Sequence, residues 1–168
     1  MLTVDPRVAI WNNLHDGEIT VMGRSASELA IFVNIPYVRK RFKPAGDSFL
    51  LRLRGFRAIE YVDYEGNNRT SDPDEIENRG IEILSTQSSG VPVKISTTQG
   101  YLNLDFDVLE IFLDTGQQVE FEAVGLACRE YWDEWEAQAG QNQEPRAQST
   151  DPAPASVTPV SGQPPRLP

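Results

Sequence analysis

Residues 19–35, ITVMGRSASELAIFVNI, carry the pattern that best predicts the fold. On both sides of the small residues 25–27, apolar residues stand at every second position, which is typical of strands with one buried face. A short segment of small residues between two such runs indicates a turn that joins antiparallel neighbours. We therefore predict that these residues form the first two strands, with Ile19 and Val21 on the same face.

Similar short runs continue through most of the chain, separated by Gly, Pro, Asn and Asp. They predict a mainly antiparallel sheet or sandwich of about seven to nine strands. In one run, Phe49 and Leu51 face one way and Arg52 the other, so we expect this arginine on the solvent side. We expect Ile59 and Tyr61 to continue the same sheet.

Three positions predict departures from plain strands. Asp72 can cap free amides before Pro73, so we expect a short helical turn that ends near Gly80. Pro92 cannot donate a ladder hydrogen bond, which places its strand at a sheet edge. Near Asp107 the apolar positions change from even to odd numbers, which predicts a bulge, bend or turn.

The clearest element is an amphipathic helix that runs from about Phe121 to about Trp135. Its apolar residues recur at helical spacing and form one stripe. The stripe consists of Phe121, Val124, Ala127, Cys128, Tyr131, Trp132 and Trp135. Because Trp and Tyr bury large areas, we predict that the stripe is core and packs on the sheet. The predicted fold class is α+β, a curled sheet or sandwich packed by one C-terminal helix.

Composition separates a folded domain from a tail. The chain has 168 residues, of which 39% are hydrophobic and 24% charged, and this suits one domain with a hydrophobic core. From residue 137 onward no aromatic residue or apolar periodicity occurs, and Pro, Gln, Ser and Ala dominate. We predict a β-rich globular domain at 1–136 and a disordered Pro/Gln-rich tail at 137–168.

The charge distribution limits the class of partner. A formal net charge of −10 argues against a general nucleic-acid binder, because phosphate contacts need a basic surface. Residues 39–57 nevertheless contain seven basic side chains and one acidic side chain. Residues 105–136 contain ten acidic side chains and one basic side chain. A strongly acidic helix face is explained most simply by solubility, and among partners it best fits a basic protein.

The inventory of reactive residues excludes most enzyme classes. Cys128 is the only cysteine and lies on the helix stripe, so we predict a buried thiol, no internal disulfide and no cysteine zinc cage. His15 is the only histidine, which excludes HExxH zinc sites, and no P-loop, dinucleotide fingerprint or G-x-S-x-G elbow occurs. We predict no catalytic residue, no cofactor and no metal. Without a signal peptide or a membrane-length apolar run, the predicted compartment is a reducing cytoplasm.

Two acidic groups have the composition of a functional site. Residues 63–74 place oxygen ligands at several positions of a calcium-binding loop, but Asn68 stands where that loop needs Gly. Asp105 and Asp107 share one face of a predicted strand, an arrangement that can serve acid and base chemistry. We favour a plain loop and a solvated strand face over calcium binding and catalysis.

Three short segments carry a family resemblance. Residues 14–19, LHDGEI, precede the first predicted strand, and residues 29–33, LAIFV, follow in the second. Together they resemble the opening of small bacterial β-rich proteins of unassigned function, some of which look like immunity proteins from toxin systems. The closing residues 128–135, CREYWDEW, are similar to segments of the same proteins. The resemblance implies a protein that neutralises a toxin by binding it.

Within the first of these segments, local chemistry favours a structural role. His15 and Asp16 can bond backbone amides and so order the approach to the first strand. Gly17 can supply the conformational freedom that the turn needs. We therefore predict that all three residues stabilise the fold, because no partner residue for catalysis by His15 is visible.

These observations predict a non-enzymatic protein-binding domain, most specifically an immunity-like protein that neutralises a basic toxin. The predicted contact residues are Arg39, Lys40, Arg41, Asp133 and Glu134. Two alternatives stay open. A small-molecule or metal-binding protein, or an enzyme, would use the mouth of a curled sheet lined by Tyr37, Tyr61 and Tyr101. A structural or phage-assembly component would form an oligomer through the edge strand at Pro92.

Overall fold

The computed structural model describes residues 4–141, and this part of the chain contains ten strands and four helices. The helices are α1 (Pro6–Asn13), α2 (Pro36–Arg39), α3 (Pro73–Glu77) and α4 (Phe121–Gln141). The strands are β1 (Glu18–Arg24), β2 (Glu28–Asn34), β3 (Ser48–Arg54), β4 (Ala58–Asp63), β5 (Arg69–Thr70), β6 (Ile83–Thr86), β7 (Val93–Thr97), β8 (Gly100–Asp105), β9 (Val108–Leu113) and β10 (Gln118–Val119).

The strands form two antiparallel five-stranded sheets, which confirms the mainly antiparallel class and corrects the strand number upward to ten within residues 4–141. The first sheet has the order β1-β2-β3-β9-β10, and the second has the order β5-β4-β8-β7-β6. Ile59 and Tyr61 do not continue the first sheet as predicted, because they belong to β4. The chain leaves β3 through Gly55, whose positive φ of 64° is a turn conformation that favours glycine.

The predicted hairpin is present, with β1 and β2 paired through the turn at residues 25–27. The prediction that Ile19 and Val21 share one face was wrong, because a bulge inserts Thr20 between the pairs Ile19–Val33 and Val21–Phe32. An extra residue reverses the side-chain parity of everything that follows it. Ile19 therefore points into the core, whereas Val21 is 46% exposed.

The predicted irregularity near Asp107 is the point where the chain changes sheet. The strand β8 ends in the second sheet at Asp105, and β9 begins in the first sheet at Val108. The Asp107 amide donates to the Arg54 carbonyl at 3.0 Å, and the Arg57 amide donates to the Asp105 carbonyl at 2.8 Å. These bonds fix the bend, and the change of sheet explains the change of parity.

The strand after Pro92 is not an edge strand. The strand β7 begins one residue later, at Val93, and pairs with β6 on one side and β8 on the other. Pro92 is compatible with this interior position because it stands before the ladder and owes no ladder hydrogen bond. The prediction was wrong because it assigned Pro92 to the strand.

The sheets enclose one apolar core, to which α1 contributes its fully buried Ile10 and Trp11, and the residue after the helix, Leu14, is also fully buried. This helix was not predicted, although it begins with a good local signal. The Asp5 carboxylate accepts a hydrogen bond from the Arg7 amide at 3.0 Å, and Pro6 occupies the first helical turn. The predicted helical turn after Asp72 is confirmed as α3, where the Asp72 carboxylate accepts from the Asp74 amide at 3.0 Å.

The predicted C-terminal helix is confirmed as α4. It packs mainly against α1 and α2, and not directly on a sheet as predicted. It continues from residue 137 to Gln141, so the helix passes the predicted boundary between domain and tail. These last residues are exposed where their side chains are described. The predicted disorder of the tail concerns residues 142–168, which lie outside the described part of the chain.

Candidate protein-binding face

The segment 14–19 joins the two sheets at one side. The Asp16 amide donates to the Ile83 carbonyl, and the Ile83 amide donates to the Gly17 carbonyl, both at 2.9 Å. The Ile19 amide donates to the Ile81 carbonyl at 3.0 Å, and the backbone of Glu18 forms an isolated antiparallel β-bridge with that of Glu82. This segment therefore has a structural place between β1 and the residues that lead into β6.

The three motif residues act differently from the prediction. Asp16, not Gly17, adopts the left-handed conformation, with φ of 65°. Gly17 is required for close packing, since a Cβ atom there would lie 2.5 Å from Cγ1 of Val33. The His15 ring contacts a carbonyl, not an amide: its Nδ1 lies 2.5 Å from the Leu84 oxygen, and its Nε2 lies 3.2 Å from the Asp16 carboxylate.

The first half of the α4 stripe is core. Val124 is fully buried, and Ala127 and Cys128 are 5% exposed. The Cys128 thiol donates to the Asn13 carbonyl at 3.0 Å, which ties α4 to the end of α1. Burial raises the pKa of the Cys128 thiol to about 11, so it remains protonated near neutral pH and is a poor nucleophile.

The second half of the stripe reaches the surface. The aromatic rings form a chain in which the Tyr37 and Tyr131 centroids lie 4.4 Å apart, those of Tyr131 and Trp132 5.1 Å, and those of Trp132 and Trp135 6.0 Å. Tyr131 and Trp132 are half-buried, whereas Trp135 is 53% exposed, so the prediction that the entire stripe is core was wrong. We call Tyr37, Tyr131, Trp132 and Trp135 the aromatic face.

The segment 14–19 holds one member of this face in place. The Tyr37 hydroxyl donates to the His15 carbonyl at 2.8 Å, and burial raises the pKa of that hydroxyl. Tyr37 lies in α2, directly after the second strand of the predicted hairpin. The motif that suggested a family thus supports the aromatic face through a backbone carbonyl.

Charged residues surround the aromatic face, and the structure brings two of the predicted contact residues together. The Arg41 guanidinium lies 2.5 Å from the Glu134 carboxylate and 3.6 Å from that of Glu130. Its hydrogen bond lowers the pKa of Glu134. Lys40 and Asp133 are exposed. A shallow hollow of about 160 Å³ is lined by Lys40, Tyr131, Glu134, Trp135 and Gln138.

Arg39 does not belong to this surface. Its side chain is completely buried, with Nη2 2.6 Å from the Asp114 carboxylate and Nη1 2.8 Å from the Pro44 carbonyl. The prediction of Arg39 as a partner contact was therefore wrong, because its donors are used within the fold. The run of basic residues in the sequence does not distinguish Arg39 from Arg41, two positions later.

The Asp114 carboxylate binds the buried Arg39 side chain, and we call this pair the latch. Its Oδ2 accepts from the amides of Asp47 at 2.8 Å and Ser48 at 3.1 Å. Partial burial alone would raise the pKa of Asp114, but the two amides and the Arg39 guanidinium outweigh burial and hold the pKa below its usual value. The latch connects α2 and the start of β3 to the residue that follows β9.

The three tyrosines of the alternative pocket do not meet at one mouth. Tyr61 is 1% exposed, and Tyr101, which pairs across the ladder with Val62, points to the opposite face of the second sheet. Tyr101 contacts Tyr64 edge to face, with ring centroids 5.1 Å apart, while Tyr37 belongs to the aromatic face. The predicted tyrosine-lined pocket is therefore wrong.

The two acidic groups are engaged in local structure. Arg57 lies 2.5 Å from each of the Asp105 and Asp107 carboxylates, and its hydrogen bond lowers the pKa of Asp105. The Asp63 carboxylate accepts from the amides of Asn67 at 2.9 Å and Asn68 at 3.1 Å, which closes its own turn. Within residues 4–141, no group of three or more His, Cys, Asp or Glu side chains is arranged to hold a metal ion.

Comparisons with protein-family models, curated proteins and solved structures find no match to this chain. Among the helices of the described part, none is both long enough and apolar enough to cross a membrane. The aromatic face is the site that sequence reasoning missed. A signal for it was present, because the stripe changes from small residues at 124–128 to Tyr and Trp at 131–135, and these two residue types combine an apolar ring with a polar group.

Proposed function

We propose that this chain is a non-enzymatic protein-binding domain, and that its aromatic face is the contact surface for a basic protein. The observation that carries the proposal is the exposure of Trp135, at 53%, at the end of a continuous chain of aromatic rings in contact. Trp, Tyr and Arg dominate the binding energy of protein interfaces because they exclude water over large areas. Trp135, Trp132, Tyr131 and Arg41 supply this combination on one surface.

The charge around the aromatic face supports a basic partner. Glu130, Asp133, Glu134 and Glu136 are exposed on the same part of α4. Arg41 pairs with Glu134 and Glu130, whereas no hydrogen bond or ion pair to Asp133 or Glu136 is found in the described part of the chain. Carboxylates around an apolar centre speed the association with a cationic protein and exclude acidic competitors.

The most specific form of the proposal is immunity-like neutralisation of a basic toxin in the cytoplasm. The resemblance of residues 14–19 and 128–135 to immunity-type proteins supports this form. The single cysteine, a buried thiol, suits a reducing compartment. In this form the aromatic face covers the toxin's basic substrate-binding surface and blocks access to it.

The test measures binding of the purified full-length chain to purified products of adjacent genes by biolayer interferometry. We expect a basic product to bind, with an affinity that falls as NaCl rises because the contacts are partly ionic. Trp135→Ala should weaken binding at least about tenfold, as for an interface hot spot. Asp133→Lys should slow association and weaken binding by a similar factor.

A matched control separates the face from the general acidity of the chain. Glu65→Lys makes the same change of charge as Asp133→Lys, at an exposed position in the turn between β4 and β5. We expect this control to bind almost as well as the unmodified chain. The proposal fails if no adjacent gene product binds, or if Trp135→Ala and Asp133→Lys bind like the control.

A further inference from the structure

A second apolar surface lies on the outer side of the first sheet. The ladder pairs Val21 with Phe32, Phe32 with Leu50, and Leu50 with Phe112. Because directly paired residues in a sheet point to the same side, these four side chains form one row across four neighbouring strands. Val21 is 46% exposed and the other three are partly exposed. We call this row the outer stripe.

The charges beside the outer stripe balance each other. Two arginines follow Leu50 in β3. The Arg52 guanidinium lies 3.0 Å from the Glu28 carboxylate, and the Arg54 guanidinium lies 3.5 Å from the Glu110 carboxylate. The Arg52 guanidinium also stands over the Phe112 ring, 5.0 Å from its centroid. Two acids and two bases give this area no net charge, although the chain as a whole has a formal charge of −10. The area therefore lacks the local negative charge that would repel a second copy.

We propose that two copies of this chain form a dimer by packing their outer stripes face to face. Sheets pack in this way inside β-sandwiches, with apolar side chains between them. A two-fold axis that runs along the strands between β3 and β9 places Arg52 of each copy opposite Glu110 of the other. The charge pattern is then complementary to itself, as an isologous interface requires. This dimer is independent of the aromatic face and of its proposed partner.

The first experiment measures the mass of the full chain by sedimentation velocity from about 1 μM to about 1 mM. We expect a monomer–dimer equilibrium that strengthens as NaCl rises, because salt screens the mutual repulsion of two chains of charge −10. Leu50→Glu should weaken the dimer at least about tenfold. Leu126→Glu is the matched control, since it makes the same substitution at a leucine of α4 that is 50% exposed, and it should leave the equilibrium unchanged.

The second experiment does not depend on the stability of the Leu50 variant. Arg52→Glu gives the area a net negative charge, and Glu110→Arg gives it a net positive charge. Each variant alone should dimerise less than the unmodified chain, whereas an equal mixture of the two should form heterodimers. A chain that stays monomeric throughout the concentration range overturns the proposal. So does a dimer that tolerates Leu50→Glu, or variants whose mixture associates no better than either alone.

Discussion

The two halves of α4 share one stripe of apolar residues but have opposite environments. In the first half, Val124 and Cys128 are buried, and Cys128 bonds to the end of α1. In the second half, Trp132 is half-buried and Trp135 is 53% exposed. Helical periodicity determines which side of a helix is apolar, but the elements beneath the helix determine how far that side is covered. The covered half stabilises the fold, and the uncovered half is available for a partner.

The largest expected effect comes from placing a charge in the covered half. Val124→Asp buries a carboxylate where the fold offers it no partner, so we expect a loss of about 4 kcal/mol or more in the free energy of unfolding. Leu126→Asp, two residues later on the exposed side, should cost far less. Chemical denaturation followed by circular dichroism measures both variants. Equal losses would contradict the assigned burial of α4.

Arginines of the basic region offer a comparison of the same kind. Arg39→Met leaves Asp114 without its buried cation, so we expect a loss of about 3–5 kcal/mol in the free energy of unfolding. Arg41→Met removes a surface contact to Glu134, and we expect a much smaller loss. Thermal unfolding of the two variants, side by side, tests whether the latch or the surface pair holds α2. A larger loss for Arg41→Met would reverse our assignment.

A smaller effect concerns how the free energy of unfolding depends on acidic pH. Because the pKa of Asp114 is lower in the folded chain than in the unfolded chain, ionisation of Asp114 stabilises the fold above the unfolded pKa of about 4. This contribution is lost as the pH falls through the folded pKa. In Asp114→Asn the fold should be less stable near neutral pH, and the difference from the unmodified chain should shrink below about pH 4. Urea unfolding at several pH values measures it, and a difference that grows in acid would be inconsistent with the latch.

Local patterns in the sequence predicted most of the β-hairpin, α3, α4 and the change at Asp107. They failed where the answer depended on distant residues. The bulge at Thr20 exposes Val21, and nothing in the alternation of β1 signals an extra residue. The pairing of β7 on both sides is a property of the second sheet as a whole, so Pro92 alone could not predict it.

The candidate site was predictable only in part. Lys40, Arg41 and Glu134 lie together as a charged surface beside the aromatic face, because α2 and α4 are in contact. Asp133 is exposed on the same part of α4. Arg39 could not be separated from them, since its burial depends on Asp114, which lies 75 residues later in the chain. The stacking of Tyr37 on Tyr131 is a contact of the same long-range kind.

Hydrogen–deuterium exchange of the full chain, with and without the basic adjacent gene product, tests the central claim most directly. If the aromatic face is the contact surface, the partner should slow exchange in the second half of α4, around Tyr131 to Gln138, and in α2. Exchange in the strands of the first sheet should be unchanged by the partner. Protection confined to the first sheet, or absent from the second half of α4, would contradict the assignment of the aromatic face as the binding surface.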